Sequence, residues 1–545
     1  MKRIVRTMSA SVTAWLVLAS GCGADSWDMG AAGVGGGGGW GDAGGVEEDS
    51  ASYPGSDTAA GWDVPEPEEE MDFSLQAPAA SEHYVYIPAE SRDAVIRVDA
   101  ETLEIRMIPV GGMPFRGVAL PVGDVAVIIN RGTQDLSVIR STPGDDDVET
   151  LPSLPAVNAL SVSPEGTSVV VWYDAARAAA GDPVGDFQTI QVLLFGEGKA
   201  TKIRHVSVGF HPVAVHFRDD GQEAYVVTDD GISVVPLHGL AEGTIAHTVP
   251  VALDPLEKPE DREVFITGDG SFAVVRDIFS PDLRILDMEE EVVSLVSLPG
   301  LPTDLDLVPG FRRCLVIMRE QDVAAVVDFS RVAAGEEDAV VQVDLTGSWA
   351  GAAAVSPAGD RAVLYSTTAA MKSVAVMDLQ DPEYPWVSWP VQKVVKGVAI
   401  SAAGQKAVLL HEATVPSSSG VAGVVEKAEG YTLLDLDTGY RKLVTTAHRW
   451  SLLLFVAHPD GGDQQACILL PDPVGMTHGV DMVDLETFLV ENIGLHSSPN
   501  SLLFVPSSRK VAINQEHPNG RITFIDVDEG TVETKTGFEL NGLIN

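Results

Sequence analysis

Cysteine is the rarest reactive side chain here, with only Cys22, Cys314 and Cys467 among 545 residues. So few cysteines exclude a fold held together by a disulfide framework. In the repeat alignment given below, Cys314 and Cys467 occupy equivalent strand positions three units apart. That separation is well beyond the roughly 7 Å Cα distance that a disulfide tolerates. We therefore expect two free, buried thiols that pack as small apolar side chains.

Basic residues are scarce as well: 35 Lys and Arg stand against 79 Asp and Glu, which gives a formal net charge of −44. A surface this negative repels nucleic acid and anionic lipid headgroups, so we predict neither as a partner. The simplest interpretation of the acidic excess is a solvated surface. With 45% hydrophobic residues, the chain still has ample apolar material for a large core.

The sequence also lacks the common catalytic motifs. It contains no HExxH, CxxCH, GxSxG or GxxxxGK[ST], and its twelve histidines are scattered. One GxGxxG match, at residues 33–38, has no predicted strand before it and no helix after it, so it does not indicate a dinucleotide site. We predict no metal and no cofactor, and the sequence assigns no catalytic residue.

The apolar run near the N terminus is too short for a comfortable transmembrane helix. Residues 7–21 are uncharged and follow the basic residues Lys2, Arg3 and Arg6, which is typical of a signal peptide covering residues 1–21. The stretch 18–22, LASGC, resembles the lipobox of bacterial lipoproteins, which implies cleavage before Cys22 and its acylation. Ala19 stands where the lipobox prefers Leu, and ordinary signal peptidase cleavage, which would release a soluble protein, is the alternative.

Residues 22–81 are predicted to be a disordered tether that follows the lipidated cysteine. The stretch holds five consecutive glycines at 35–39, an acidic run at 65–70 (PEPEEE), and no Lys or Arg from 23 to 72. Glycine-rich chain is flexible, and the like charges at the acidic end repel one another and extend it.

A repeated unit fills residues 82–545, and its clearest copy is 211–237, HPVAVHFRDDGQEAYVVTDDGISVVPL. Period-2 apolar runs bounded by Asp-Gly turns indicate a β-meander. The second strands of successive units are predicted to begin, 41 to 60 residues apart, at Tyr84, Val125, Val169, Tyr225, Phe272, Cys314, Ala362, Ala407, Cys467 and Val511. Repeats of this length with four short strands are typical of β-propeller blades, so we predict an all-β propeller.

Most third strands end in an aspartate, at Asp99, Asp287, Asp328, Asp378, Asp435, Asp484 and Asp526. Two of these turns, 435–439 and 526–530, superficially resemble calcium loops but lack the full ligand spacing. An aspartate at a turn accepts hydrogen bonds from the backbone two residues on, which explains the recurrence without a metal.

The segment DDGQEAYVVTDDGISVV resembles the YVTN repeat of the YVTN and lactonase-like β-propeller superfamily, part of the wider group of WD40/YVTN repeat-like domains. The resemblance runs from about Glu82 onward. It implies a propeller but little about function, because that superfamily hosts binding proteins, enzymes and surface-layer proteins.

About ten units favour one closed ring. Two smaller tandem propellers, or a ring of seven or eight blades with over-counted repeats, remain alternatives. The first unit starts at Tyr84 without an apparent innermost strand, and residues 540–545 are left over after the last unit. We therefore expect the C-terminal residues to complete the first blade and close the ring, leaving no exposed edge.

The extra residues concentrate on the face formed by the loops between second and third strands and the links between units. Unit three inserts 174–187, unit eight inserts 412–430, and 254–262 enlarges the link from unit four to unit five. Long loops on a rigid scaffold are where binding usually occurs. Shorter loops complete the candidate binding face with Asn130, Arg131, Arg276, Asp277, Arg319, Glu320, His411, Gln515, Glu516 and His517.

These observations predict a monomeric binding scaffold of the bacterial cell envelope, held at a membrane only by its N-terminal lipid and facing the periplasm or the exterior. The partner would be a protein, a glycan or a small ligand. One alternative is an envelope hydrolase of the lactonase-like kind, which requires charged groups that converge at the pore mouth. A purely structural envelope protein and a secreted soluble form are the others.

The lipid anchor is directly testable by replacing Cys22 with Ser. Acyl chains contribute about 0.8 kcal/mol per buried methylene, so their loss is expected to move the protein from the membrane fraction to the soluble fraction. Fractionation with immunodetection measures the change. Unchanged membrane partitioning of the Cys22→Ser protein would contradict the anchor.

Overall fold

A computed structural model describes residues 68, 79–178, 181–196, 201–253, 257, 259–368, 371–415, 419–475 and 477–538. Within these residues the strands form ten antiparallel sheets that follow one another along the chain. The sheets are the blades of a ten-bladed β-propeller in a single ring. The prediction of an all-β propeller of about ten units is confirmed, and the two-ring and seven- or eight-blade alternatives are not.

Blades 1 to 5 use strands β1 to β21. Blade 1 contains β1 (Ala79–Ala80), β2 (Tyr84–Ala89), β3 (Ala94–Asp99) and β4 (Ile105–Pro109). Blade 2 contains β5 (Pro114–Ala119), β6 (Val125–Asn130), β7 (Asp135–Ser141) and β8 (Asp146–Pro152). Blade 3 contains β9 (Ala159–Val162), β10 (Ser168–Trp172), β11 (Thr189–Leu194) and β12 (Lys202–Ser207). Blade 4 contains β13 (Ala214–Phe217), β14 (Glu223–Val227), β15 (Ile232–Pro236) and β17 (His247–Val249). Blade 5 contains β18 (Arg262–Ile266), β19 (Phe272–Asp277), β20 (Asp282–Asp287) and β21 (Val292–Ser297).

Blades 6 to 10 use strands β22 to β41. Blade 6 contains β22 (Asp304–Leu307), β23 (Arg313–Met318), β24 (Val323–Asp328) and β25 (Val340–Asp344). Blade 7 contains β26 (Ala352–Val355), β27 (Arg361–Tyr365), β28 (Ser373–Asp378) and β29 (Trp386–Pro390). Blade 8 contains β30 (Gly397–Ile400), β31 (Lys406–His411), β32 (Glu429–Asp435) and β33 (Arg441–Thr446). Blade 9 contains β34 (Leu453–Ala457), β35 (Asp463–Leu470), β36 (Gly479–Asp484) and β37 (Val490–Gly494). Blade 10 contains β38 (Pro499–Val505), β39 (Lys510–Gln515), β40 (Arg521–Asp526) and β41 (Val532–Thr536).

Blade 3 departs from the four-strand pattern. Strand β16 (Thr244–Ile245), in the connection between the third and fourth strands of blade 4, pairs in parallel with β12 and covers the outer edge of blade 3. Two short α-helices interrupt the meanders: α1 (Phe329–Ala333) follows β24, and α2 (Val421–Lys427) lies in the loop of blade 8. Single 3₁₀ turns occur at Glu90–Arg92, Ala175–Arg177, Pro259–Asp261 and Arg319–Gln321.

The hydrophobic core lies between blades rather than inside one of them. Along β2, Tyr84 and Tyr86 pack toward blade 2, while Val85 and Ile87 pack toward blade 10. This follows from the period of two in a strand, which sends successive side chains to opposite faces. Ten apolar clusters of this kind each join two neighbouring blades around the ring. The apolar runs are therefore continuous because both faces of the middle strands are buried.

Ring closure differs from the sequence prediction. Blade 1 has its innermost strand, β1, which pairs with β2 through Ala79 and Ala80 and comes from the chain just before the blade. The prediction that the first unit lacks this strand was wrong, because a two-residue strand leaves no periodic signal. The link to blade 10 is the apolar cluster of β2, β3, β38 and β40, together with a 3.1 Å hydrogen bond from Ser507 N to the Glu82 carbonyl. Residues 540–545, expected to fill that place, lie outside the described residues.

The predicted starts of the second strands agree closely with the structure. Tyr84, Val125 and Phe272 are the first residues of β2, β6 and β19. The remaining strands begin one or two residues earlier than predicted, except β35, which begins at Asp463, four residues before Cys467. The small offsets arise because polar residues such as Lys406 and Lys510 pair at strand ends without entering the core.

The turn aspartates behave as predicted. The carboxylate of Asp99 accepts hydrogen bonds from the amides of Glu101 and Thr102 at 3.0 and 2.7 Å. The same pattern recurs at Asp287, Asp378, Asp435 and Asp526, and in shortened form at Asp328 and Asp484. These turns are closed by Asx hydrogen bonds that occupy the carboxylates.

The two strand cysteines are free and buried, as the repeat alignment predicted. Burial raises the pKa of Cys467 to about 12 and that of Cys314 further still. Both thiols therefore stay protonated at neutral pH and pack as apolar groups. Cys22 and the signal segment lie outside the described residues, and in the part that is described no helix is long and apolar enough to span a membrane.

The blade 10–blade 1 contact makes a prediction about stability. Phe524 is 1% exposed within the cluster that closes the ring. Its replacement by Ala is expected to lower the free energy of unfolding by about 3–5 kcal/mol through lost burial and a residual cavity. Urea titration followed by tryptophan fluorescence measures the change. The matched control is Val532→Ala on the outer strand β41, where the side chain is 43% exposed and little change is expected. Equal effects of the two substitutions would contradict the role of this cluster.

Candidate functional site

The loop face is formed by the loops between second and third strands and by the links from each fourth strand to the next blade. It contains all the candidate residues predicted from the sequence. The inserts of blades 3 and 8 lie on it, five positions apart in a ring of ten, and so stand on opposite sides of the central channel. Helix α2 is part of the blade 8 insert, and residues 416–418 of that insert lie outside the described residues.

A cleft opens on this face between blades 2 and 3, with a volume of about 90 Å³. Its walls come from the loop of blade 2, the link between the blades, and the insert of blade 3. Its polar lining residues are Arg116, Asn130, Arg131, Gln134, Ser153, Asn158, Arg177 and Asp182, and Phe115 and Tyr173 are its aromatic ones. The cleft therefore combines a short aromatic wall with several hydrogen-bonding groups.

The insert of blade 3 is anchored by aromatic and polar contacts. Phe187 packs edge-on against Tyr173 with ring centroids 5.5 Å apart and against His211 at 4.7 Å. Asp174, 4% exposed, caps the following 3₁₀ turn and accepts from Arg177 Nε at 2.9 Å. Burial raises the pKa of Asp174, although its bonds to Arg177 oppose the rise. The insert thus holds Arg177 in a defined place at the wall of the cleft.

Three arginines give the cleft its charge. Arg116 donates to the Asn158 carbonyl at 3.2 Å, and burial together with the nearby Arg177 lowers the pKa of Arg116. Arg131 lies over the Phe115 ring at 4.7 Å and is 42% exposed, with Asp182 at 4.0 Å. Asp174 binds Arg177 at 2.9 Å, and Glu90 lies 3.6 Å from Arg131, so nearby carboxylates compensate part of the charge of the three guanidinium groups.

Asn130 borders this cleft but is fully buried, and its side chain, on the same face of β6 as Ala126 and Ile128, points toward blade 1. Its Nδ2 donates to Asp135 at 2.7 Å and to the Ser137 hydroxyl at 2.8 Å. Its Oδ1 is buried and has no hydrogen-bond partner among the described residues. A buried acceptor without a partner costs free energy, but this atom lies on the side of blade 1, near the Gly111 amide and Ser137 Oγ, and not in the cleft.

Arg276 and Asp277 belong to a separate charged cluster at blade 5. Arg276 pairs with Glu263 on the adjacent strand at 2.5 Å, and its Nε and Nη1 are buried without hydrogen-bond partners among the described residues. Glu257, from the enlarged link, accepts from Arg284 at 2.7 Å and lies 3.5 Å from Arg262. Asp277 lies 3.8 Å from Arg284. These charges compensate one another and hold the link to the blade.

His411 and Gln515 are buried structural groups. His411 Nδ1 lies 2.8 Å from the Val394 carbonyl, and its Nε2 lies 2.8 Å from the Thr432 hydroxyl. Burial lowers the pKa of His411 to about 4, so the ring is neutral at pH 7. Gln515 donates to the Thr523 hydroxyl at 2.6 Å. Each links the end of a second strand to its neighbours.

The remaining candidates lie at separate places. Glu516 is exposed, and His517 is half-buried, with its Nδ1 accepting from the Asn519 amide at 3.1 Å. Arg319 and Glu320 are adjacent, with Nε and Oε1 3.3 Å apart, and Arg319 also binds the carboxylate of Glu68. Among the described residues, these six candidates lie on four different blades: Arg276 on blade 5, Arg319 and Glu320 on blade 6, His411 on blade 8, and Glu516 and His517 on blade 10. The convergence that an enzyme of the lactonase-like kind requires is therefore not seen there.

No group of three or more His, Cys, Asp or Glu side chains in the described part of the chain is arranged to hold a metal ion. Two of the predicted residues, Asn130 and Arg131, border the cleft between blades 2 and 3. Sequence reasoning missed Arg116 and Asn158, because they come from the innermost strand and the link rather than from a long loop.

No protein-family model matches the chain, and no curated protein matches it. Among solved structures it is similar to hydrazine synthase of Kuenenia stuttgartiensis, with 18% identity over 49% of this chain and 76% of that one and a TM-score of 0.30. It is also similar to the dihydro-heme d1 dehydrogenase NirN in complex with DHE, with 12% identity, 77% of each chain covered and a TM-score of 0.42. A eukaryotic initiation factor shares 9% identity over 84% of this chain and 96% of that one, with a TM-score of 0.42. Likenesses of this degree carry no inference about function.

The buried His411 makes a prediction about pH. Its pKa is about 4 when folded and 6.5 for the free side chain, so the unfolded chain binds the extra proton between these values. Stability contributed by the neutral ring is fully present above pH 6.5 and is lost as the pH falls toward 4, by about 3 kcal/mol.

The measurement is urea unfolding at pH 7 and pH 4.5 for the wild type, His411→Asn and the exposed-site control His238→Asn. The His411→Asn protein is expected to be less stable at pH 7 but to lose less stability on acidification. The control should keep the wild-type pH dependence. An unchanged pH dependence in His411→Asn would count against a buried neutral ring.

Proposed function

We propose that this protein is an exported β-propeller that binds a small anionic ligand in the cleft between blades 2 and 3. The observation that carries the proposal is the grouping of Arg116, Arg131 and Arg177 around a cleft of about 90 Å³ on a chain of net charge −44. Positive charge kept in one concave place on an acidic protein attracts anions and orients them. Planar guanidinium groups suit carboxylate or phosphate oxygens because they donate two parallel hydrogen bonds.

The cleft favours a ligand that joins an anionic group to a short apolar portion. Arg131 at the rim is exposed enough to meet the ligand's charge. The aromatic wall of Phe115 and Tyr173 supports a short apolar portion. Ligand sites combine a few polar groups with apolar walls. Most of them, at ~300–1,000 Å³, are larger than this cleft. The size of this cleft points to a ligand of a few heavy atoms.

The N-terminal sequence supports a place for this protein in the cell envelope. The basic start, the short apolar run and LASGC at 18–22 fit a lipoprotein signal, and the acidic segment after Cys22 would hold the propeller away from a membrane. We further propose membership of the YVTN-like propellers, on the strength of the repeat at 219–235 and the ten-blade ring. The protein would then act as a ligand-binding scaffold on the outer side of a membrane.

The binding proposal is tested with acetate and inorganic phosphate as probes in isothermal titration calorimetry. We expect at least one of the two probes to bind the wild type. Arg131→Gln is then expected to lower the affinity for that probe about tenfold, since a hydrogen bond to a charged group contributes about 1.5–3 kcal/mol. Arg312→Gln is the matched control. Its side chain is 52% exposed and lies in a turn between first and second strands, on the opposite face.

The control removes the same charge without touching the cleft. The affinity of Arg312→Gln for the probe should stay within about twofold of the wild-type value, because surface charges more than a Debye length apart are largely screened. Two results would overturn the proposal. One is the absence of binding of either probe to the wild type at millimolar concentration. The other is an equal loss in both variants, which would reduce the effect to net charge.

A further inference from the structure

Glu68 is buried on the loop face of the propeller, against residues that are distant from it in the sequence. Its side chain is 1% exposed, although it belongs to the acidic run 65–70. It lies in a recess between the loops that follow the second strands of blades 6 and 7. This residue and the strand at Ala79–Ala80 both take defined positions within the segment 22–81 that the sequence predicts to be a tether.

Both carboxylate oxygens of Glu68 are fully engaged. Oε1 accepts from Arg319 Nη1, from the Ser366 hydroxyl at 3.1 Å and from the Thr368 hydroxyl at 3.1 Å. Oε2 accepts from the Thr367 amide and hydroxyl, each at 2.6 Å, and from the Thr368 amide at 3.3 Å. A carboxylate loses much solvation on burial, and only a set of donors of this density compensates it.

The recess is a built pocket of the propeller. Arg319 is 9% exposed and also donates to the Thr368 hydroxyl, so the guanidinium is held in place by the loop of the next blade. Lys396 Nζ donates to the Thr367 carbonyl at 2.7 Å, which adds a cation behind the loop. Thr303 donates to the Gly351 carbonyl at 2.7 Å and thereby fixes the floor.

Gly351 provides the space for the carboxylate. A Cβ at this position would lie 1.9 Å from Glu68 Oε1 and 3.2 Å from Arg319 Cδ. Its backbone is not in the left-handed region, so an alanine is tolerated by the chain but not by the bound carboxylate. The absence of a side chain at 351 is therefore matched to an occupant of the pocket.

We propose that Arg319, Gly351 and the loop 366–368 form a receptor site for a glutamate or aspartate side chain of an acidic peptide, and that Glu68 occupies this site in cis. The site recognises one carboxylate with planar geometry through a guanidinium on one oxygen and backbone amides on the other. It lies on blades 6 and 7, whereas the cleft described above lies on blades 2 and 3, so the two proposals rest on separate observations.

The short stretch of chain between Glu68 and the propeller explains why Glu68 itself occupies the site. Only residues 69–78 separate Glu68 from β1, so the effective concentration of its carboxylate at the site is on the order of millimolar or higher. An acidic segment of a partner binds only by displacing Glu68, so it must compete with this effective concentration. Glu68 thus acts as a built-in competitor, and the site becomes available when the Glu68 side chain leaves it.

The test uses the full-length protein and a fluorescein-labelled peptide of residues 63–72, DVPEPEEEMD, in fluorescence anisotropy. Glu68→Ala removes the occupant, and Glu70→Ala removes an equal charge from the same run as the matched control. The peptide is expected to bind Glu68→Ala at least about tenfold more tightly than the wild type or the control, because only there is the competitor absent. A peptide with every Glu and Asp replaced by Gln or Asn should not bind.

Two further arms locate the site and identify the source of the carboxylate. Adding Gly351→Ala to Glu68→Ala is expected to abolish peptide binding without changing the thermal unfolding midpoint, because the new methyl fills the space of Oε1. Glutarate should compete with the peptide if the carboxylate alone is recognised, and fail to compete if the peptide backbone is needed. Either result supports the site.

Three results would overturn the proposal. The first is the absence of peptide binding to Glu68→Ala. The second is peptide binding that persists when Gly351→Ala is added. The third is equal binding of the peptide by Glu68→Ala and Glu70→Ala, which would show that only the loss of one negative charge matters and not the position of Glu68. Because none of these substitutions touches the cleft of blades 2 and 3, the acetate and phosphate assay remains an independent measurement.

Discussion

Packing of each blade against both of its neighbours is the constraint on which this structure depends. The middle strands send alternate side chains to opposite faces, so a blade such as the first buries Tyr84 and Tyr86 on one side and Val85 and Ile87 on the other. A blade alone would expose both apolar faces, and an open row would expose one at each end. Closure of the ring is therefore a requirement of the sequence pattern, and a short β1 is enough because the side-chain cluster contributes most of the contact.

The ring also determines how the few basic residues are used. Several arginines are almost completely buried, with side chains 1–11% exposed, and each is paired with a carboxylate: Arg97, Arg262, Arg276, Arg284 and Arg319. Arg97, for example, bonds Asp146 at 2.6 Å and lies over the Tyr84 ring at 4.3 Å, which ties blade 1 to blade 2. A buried cation needs such a partner, because its desolvation is otherwise uncompensated.

The two binding sites that we propose on this scaffold are both built around arginines. The cleft of blades 2 and 3 groups three guanidinium groups, and the pocket of blades 6 and 7 has an arginine matched by a carboxylate from outside the propeller. Both lie on the loop face, where the backbone is irregular and amides are available as donors. The Asp-rich turns attract attention in the sequence, yet their carboxylates are used by their own backbone amides.

Much of the fold was predictable because its signals are local. Periodic apolar runs and Asp-Gly turns locate the second strands, as at Tyr84, Val125 and Phe272, and the repeat length indicates the blades. The two-residue β1 and the parallel β16 were not predictable, since strands this short have no period. Among the candidate residues, the sequence placed Arg131 on the loop face but did not distinguish this exposed residue from the buried, fully bonded His411, because exposure depends on neighbours distant in the chain.

The sequence by itself determined the repeat, the all-β class, the acidic character and the free thiols, because each follows from composition or from spacing along the chain. Tertiary structure decided which residues that are distant in the sequence come into contact. Arg116 and Arg177 reach one cleft from separate segments, and Glu68 reaches Arg319 across about 250 residues. Such contacts are set by ring closure and blade packing, whose geometry is a property of the whole assembly. No local pattern records them, because the energy of a buried charge pair depends on distance and desolvation in space rather than on position in the sequence.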